Sequence, residues 1–395
     1  MAPEVLGGIT NPYNGSKDFL FRQRYAPEQC GFRTNYVYNG IIHMAADIIA
    51  DMSNSTVEEM LSNFLNQLGM TDTTWIKDTD DHNSMPDRSV PYYKSDGFLR
   101  RFNPELLKVV KIGIGAGGLL SSARDMARYM QFHLNRGTLD GVELVPAEGM
   151  DWLYKPSNLM FADAIYDAND IENRYASGLG LHLGLFNGFA TVTHGGFLPP
   201  YDSLITMTPG LNFGIFTAAS GPGKLTEFTR SRLHTRIYDI IQGTSHGETK
   251  NIQNPSKTVH IKPAMRYSSS IMVDPNDIVG KYGSGLSGDL EISLERNPSG
   301  ALQPYLKYGV WGHGWLNQIS NNSDLFEIVW DSEITQVFST RNGAEFGMMM
   351  QFQNLNTTEF VQDGISLGSF TRNLTIDQLP VIPWKPDTCG PELLG

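Results

Sequence analysis

The sequence predicts an α+β protein in two parts. A helix-and-sheet domain is expected over residues 1–250, a linker over 251–264, a small antiparallel β-barrel over 265–375 and a Pro-rich tail over 376–395. Three observations carry this reading. Apolar residues recur at helical spacing in several segments between 41 and 134. Runs divided by Gly and Pro fill 175–220 and read as strands. Beyond 265 almost everything alternates polar and apolar in short segments, the pattern of a barrel or sandwich.

The elements follow in chain order. Residues 1–35 are punctuated by GG, NP, NG and AP and read as irregular. Residues 41–51 (IIHMAADIIAD) make an apolar helix. The next helix spans 55–68, with Ser55 and Glu58 as its capping box and Gly69 as its stop. Residues 71–117, with Pro86, Pro91 and Pro104, read as loop. In SARDMARYMQFHLNRG, Ser122 and Asp125 cap a helix, Met126, Tyr129, Met130 and His133 share one face, and Gly137 closes it. YASGLGLHLGLF, ATVTHGG, DSLITMTP and NFGIFTAAS follow as strands, then a helix over 225–242. In the second part GDLEISLER, LQPYLKYG, LFEIVW, TQVFST, GMMMQFQ and TEFVQD all read as strands. YGVWGHGWLN, 308–317, reads as aromatic packing within the barrel, with a cavity lining as the alternative.

Composition narrows the function. The 395 residues carry a net charge of −12, with Lys and Arg scattered, so no basic surface is available for nucleic acid or anionic lipid. No apolar run approaches the length of a bilayer span. The opening MAPEVLGGIT lacks the basic and apolar regions of a signal peptide. Cys30 and Cys389 show no metal-type spacing and read as ordinary thiols, and no cofactor is expected.

Four phrases carry the chemistry. They are Tyr38-Asn39-Gly40 ahead of the first helix, NQLGMTDTTW at 66–75, GAGGLLSSARDMARYM at 115–130, and His194-Gly195-Gly196 within THGGFLPPYDSL. In this order they resemble the serine β-lactamase and penicillin-binding-protein-like family, whose relatives include class C β-lactamases, family VIII esterases and fungal acyltransferases. The resemblance covers roughly residues 20–240. It implies a β-lactamase-like α/β sandwich, N-terminally incomplete, followed by a lipocalin-like barrel. It also implies an acyl-enzyme mechanism on an ester, thioester or amide and, more narrowly, a place in secondary metabolism. In that family a Ser of Ser-x-x-Lys attacks the acyl carbonyl, a Tyr serves as base, and a Lys/His-x-Gly strand completes the oxyanion hole. Carried onto this sequence, Tyr38 is the general base and His194 the strand residue. Asn39, Gly195, Gly196 and Phe197 line the substrate, with Phe197 giving the N–H donor.

Two departures limit this. The family's Asn two residues after the Tyr is Gly40 here, and Asn39 lies between. No Ser-x-x-Lys occurs in the sequence, and Thr74-Trp75-Ile76-Lys77 has that spacing only with Thr and downstream of the Tyr. The block carrying the nucleophile helix and first strands is therefore expected to be missing. Tyr38 reads equally as a base or a packed aromatic, while the Gly pair favours a pocket-lining strand. His43 and His182 read as structural. Three functions stay open: an acyl hydrolase or transferase on a small-molecule substrate, a repurposed binding protein, and acid/base catalysis by Tyr38 and His194 without an acyl-enzyme. A missing N-terminal block would leave an exposed apolar groove beside the THGG strand, unless residues 1–30 or a second copy in a homo-oligomer cover it.

Overall fold

A computed structural model describes residues 12–26, 41–76, 87–95, 98–109, 114–160, 171, 173–198, 200–221, 224–244, 273–320, 323–339, 348–362 and 365–380. Tyr38, Asn39, both cysteines, the whole of the expected linker and the end of the tail lie outside these residues.

Helix formation follows local sequence closely. Helix α1 (Ser16–Arg22) corrects the irregular reading of the first residues, and an Asp18–Arg22 pair one turn apart holds it at 3.0 Å. Helix α2 is Ile41–Met52 and α3 is Val57–Gln67. The cap of α3 lies one residue later than expected. Thr56, not Ser55, accepts from the Glu59 amide, and the Glu59 carboxylate accepts from the Thr56 amide. Ser55 instead bonds the Glu59 carboxylate from outside the helix. Short strands β1 (Thr74–Trp75), β2 (Tyr92–Ser95) and β3 (Phe98–Arg101) occupy the stretch read as loop and β4 (Leu119–Leu120) follows it, β1 pairing with β4 and β2 with β3. Helix α4 (Ala123–Leu134) starts at Ser122, which accepts from the Asp125 amide. A β5 (Thr138–Leu139) and β6 (Val142–Glu143) hairpin leads to α5 (Ala147–Tyr154).

The main sheet has six strands: β7 (Asn158–Leu159), β8 (Arg174–Ser177), β9 (His182–Phe186), β10 (Phe189–Leu198), β11 (Tyr201–Thr208) and β12 (Phe213–Ser220). They lie in the order β12-β11-β10-β9-β8-β7, with antiparallel neighbours. The THGG segment is in β10, inside the sheet. Among the described residues the sheet ends at β12, and β9 pairs with the THGG strand only as far as Thr193.

Cross-strand partners point to the same face. His194↔Ile205, Gly196↔Ser203 and Leu198↔Tyr201 therefore share one face, and Thr193↔Thr206, Gly195↔Leu204 and Phe197↔Asp202 the other. Helix α4 covers the first face. Its Met126, Tyr129 and Met130 pack on a buried cluster that includes Val192, Ile205 and Met207. Helix α6 (Lys224–Gln242) covers the second. There His234 bonds Thr206 and Thr217, each at 2.9 Å, and Arg230 bonds Asp202, both ions being buried.

The second domain is a closed eight-stranded barrel of β13 (Gly280–Ser284), β14 (Gly288–Arg296), β15 (Leu302–Tyr308), β16 (Gly312–Gln318), β17 (Leu325–Trp330), β18 (Met349–Asn354), β19 (Thr357–Gln362) and β20 (Ile365–Arg372). One buried cluster fills it, including Tyr282, Tyr308, Phe326, Phe352, Phe360 and Phe370. The rings meet edge to face, as in Phe360–Phe370 at 5.2 Å and 79°.

One expectation fails here in an informative way. TQVFST is not a strand but part of helix α7 (Glu333–Ser339). Ser332 accepts from the Thr335 amide, and the buried Ile334 and Val337 lie one turn apart. These two leave the barrel and bury with Ile76, Phe102 and Leu107 of the first domain, where Leu198, Tyr201 and Trp311 also pack. Elsewhere Arg22 Nη1 donates to the carbonyl of Ser284 at 3.0 Å, so the two domains share polar and apolar contacts.

Candidate functional site

The site is built on β10. Its pairing with β9 ends at Thr193↔His182, while its pairing with β11 continues to Leu198↔Tyr201. The stretch 194–198 thus projects beyond the β9 ladder, carrying His194, Gly195, Gly196 and Phe197, all partly buried. These four expected residues come together on consecutive positions. Tyr38 and Asn39 belong to residues not described, so their placement beside this strand stays an expectation.

Gly196 has a steric reason. A Cβ at position 196 would lie 2.3 Å from the Ser203 Oγ, so any side chain there evicts that hydroxyl. At 195 a Cβ would instead make an ordinary contact, 3.8 Å from Arg230 Nη2, on the face covered by α6. Arg230 also donates to the Ser203 carbonyl at 2.7 Å. A buried Asp202–Arg230 pair thus braces β11 directly beneath the glycines.

The electrostatics keep the imidazoles neutral. Burial lowers the His194 pKa, a hydrogen bond with the Gly195 backbone partly opposes this, and the Arg174 guanidinium lowers it further. Burial, then Arg174 and His194, bring His182 down to about 3. Arg174 Nη1 lies 2.6 Å from His182 Nδ1. Guanidinium can only donate, which fixes Nδ1 as acceptor and places the His182 proton on Nε2. The His182 and His194 rings lie 5.2 Å apart. At neutral pH His194 is therefore an uncharged imidazole, able to accept a proton, where a Lys strand would present a cation.

Sequence reasoning missed Ser203, Arg88 and Trp311. Ser203 was legible in principle. Counting back from the two-residue turn after Leu198 in FLPPYDS pairs 198 with 201 and therefore 196 with 203. Arg88 donates from Nε to the Tyr201 hydroxyl at 3.4 Å, and Tyr201 donates to the Ser89 carbonyl at 2.8 Å. Nothing in the sequence links Arg88 to β11. Among the described residues no group of three or more His, Cys, Asp or Glu is arranged to hold a metal, and no helix is long and apolar enough to cross a membrane.

With this geometry in hand, comparison with known proteins decides the family. The beta-lactamase family profile matches residues 10–238. The chain belongs to the beta-lactamase family. No curated protein matches the sequence. Among solved structures it is similar to an octameric penicillin-binding protein homologue from Pyrococcus abyssi, at 16% identity and a TM-score of 0.48, covering 93% of this chain and 73% of that one. It is also similar to a penicillin binding protein from Bacillus halodurans, at 17% identity and TM-score 0.44, over 60% and 66% of the two chains. A D-amino acid amidase from Ochrobactrum anthropi SV3 aligns at 18% identity and TM-score 0.40, over 53% and 58%. The beta-lactamase family is one of serine hydrolases, and the α/β domain with a C-terminal eight-stranded barrel agrees with the architecture read from the sequence.

Proposed function

We propose that this family member carries out acyl transfer or hydrolysis of an ester, thioester or amide of a small molecule at the projecting end of β10. The observation that supports this most is the stretch 194–198, which extends beyond β9 with a neutral imidazole at its head. Such a strand end sets backbone N–H groups where a developing oxyanion needs donors. In this reading Phe197 gives one such donor and Gly195 and Gly196 let the acyl group approach the backbone. His194 relays a proton, and Tyr38 is the base that receives the nucleophile's proton. The nucleophile is not a Ser-x-x-Lys serine of these 395 residues, so it comes from another hydroxyl of this chain or from a helix outside them.

That missing motif supports a second reading, in which Tyr38 and His194 act on a bound ligand without an acyl-enzyme, or the cleft only binds. A second copy covering the β12 edge fits either reading. Intact-mass measurement after exposure to a fluorophosphonate and to a penicillin separates the two. A single adduct of stoichiometric mass supports covalent acyl chemistry, and no adduct under any condition overturns it.

A further inference from the structure

We propose that the outer face of the barrel, across β15 and β16, is a binding site for a neutral disaccharide. The barrel interior is taken up by its buried aromatic cluster, so the space for a ligand lies outside it. A cleft of about 460 Å³ opens beside the β14–β15 turn, with Pro275, Asn297, Leu302, Gln303, Pro304 and Asn317 in its lining. None of the described residues that line it is ionisable. Leu302 is left 62% exposed there.

The polar groups of the cleft are fixed before any ligand arrives. Asn297 Nδ2 donates to Gln303 Oε1 at 2.8 Å. Gln303 Nε2 donates to Asn317 Oδ1 at 2.5 Å and to the Leu316 carbonyl at 3.2 Å. Three carboxamides thus run head to tail across two strands and a turn. Each amide nitrogen carries two N–H donors and each amide oxygen two lone pairs, so this chain keeps donors and acceptors to offer side by side.

The second observation is a pair of rings that continues the same face. Leu306 and Leu316 point into the barrel core, so by alternation Gln303, Tyr305, Trp315 and Asn317 point outward. Tyr305 pairs with Trp315, their rings 4.7 Å apart at 61° and both only partly buried. The Tyr305 hydroxyl donates to the Asp331 carboxylate, which holds that ring in place. Val329, opposite Trp315, is exposed and widens the apolar strip. Two residues along a strand span about 7 Å, so the amides and the rings are adjacent.

A sugar is the complement of this surface. Its C–H faces pack on aromatic rings, and its hydroxyls, each donor and acceptor, match carboxamides. One ring sits against the amides of the cleft and the next against Tyr305 and Trp315. Charge makes the ligand neutral. Glu295 and Glu327 flank the amide row, Glu291 and Asp331 lie on the far side of the rings, and Lys307 is engaged with Glu295 at 2.8 Å. An anionic sugar meets repulsion from these carboxylates.

The test is titration of the full chain with maltose, cellobiose and lactose, and with their uronic-acid analogues, in which one CH2OH is a carboxylate. The Trp315 indole N–H resonance, assigned by its loss in Trp315→Phe, reports occupancy. At least one neutral disaccharide is expected to shift it saturably, and its uronic-acid analogue to bind at least about tenfold more weakly. By calorimetry, Trp315→Ala and Asn317→Ala are each expected to weaken that sugar by about tenfold. No saturation by any of the three, equal binding of sugar and uronic acid, or unchanged affinity in the folded variants overturns the proposal. If Trp315→Ala does not fold, Asn317→Ala and Leu302→Asp, both at exposed positions, decide.

Discussion

The two domains solve the edge problem of β-sheets differently. The barrel closes on itself, so every strand has two neighbours and one aromatic cluster fills the interior. Among the described residues the main sheet ends at β12, and the apolar core of the first domain is divided among separate clusters around α3, α4, α6 and β1. Large apolar side chains also reach solvent there: Ile48, Ile49 and Met52 on α2, and Leu233, Ile240 and Ile241 on α6. The closed domain is built to persist. The open one carries the candidate chemistry on a strand that outruns its partner, and it depends on polar anchors where the barrel depends on packed rings.

If that contrast is right, damage to each domain should register in its own unfolding transition. Phe360→Ala in the barrel removes a ring meeting both Tyr308 and Phe370 and should cost about 3–5 kcal/mol, seen in denaturant unfolding as a shift of the barrel transition. Arg230→Met leaves Asp202 buried without its cation and should cost about 3 kcal/mol in the sheet transition, much of it recovered when Asp202→Leu is added. Equal shifts of both transitions in either variant would mean that the domains unfold as one unit.

Acid should separate the domains further. Burial brings His133 and His234 down to about 4 and His182 to about 3, and all three lie in the first domain. Unfolded, each takes up a proton near 6.5, so the unfolded state binds more protons as pH falls below that value. Their contribution is fully present above pH 6.5 and is lost on the way down to about 4 and 3. Melting at pH 7.5 and at pH 5 should show the sheet transition losing on the order of 1–2 kcal/mol per histidine. His234→Gln should flatten this slope. At a similar scale, Gly196→Val should cost about 1–3 kcal/mol by evicting the Ser203 hydroxyl. The smallest effect is expected for Glu333→Gln, whose contact with the Asn103 amide is long at 3.4 Å and exposed. It should cost less than about 0.5 kcal/mol.

Legibility followed the range of the interactions. Helices α3 and α4 and the strands of the main sheet were readable because caps and periodicity are local, and the cap of α3 slipped by one residue because Ser55 and Thr56 can both accept. The His194–Phe197 strand was readable through its family phrase, whereas the order of the strands was not, because strand order is not written in any single segment. Helix α7 was misread because TQVFST alternates like a strand. Its period becomes helical only with Ile334 included, and its partners Phe102 and Leu107 are far away in sequence. Arg88 and Trp311 carry buried N–H groups with no acceptor among the described residues, a property that exists only after folding.

The central claim is that the projecting end of β10 is an acyl site, and ester turnover tests it most directly. Full-length protein should hydrolyse p-nitrophenyl butyrate saturably, and His194→Ala should lower kcat/KM at least about hundredfold with the sheet transition intact. Hydrolysis no faster than buffer, or a rate unchanged in His194→Ala, would contradict it.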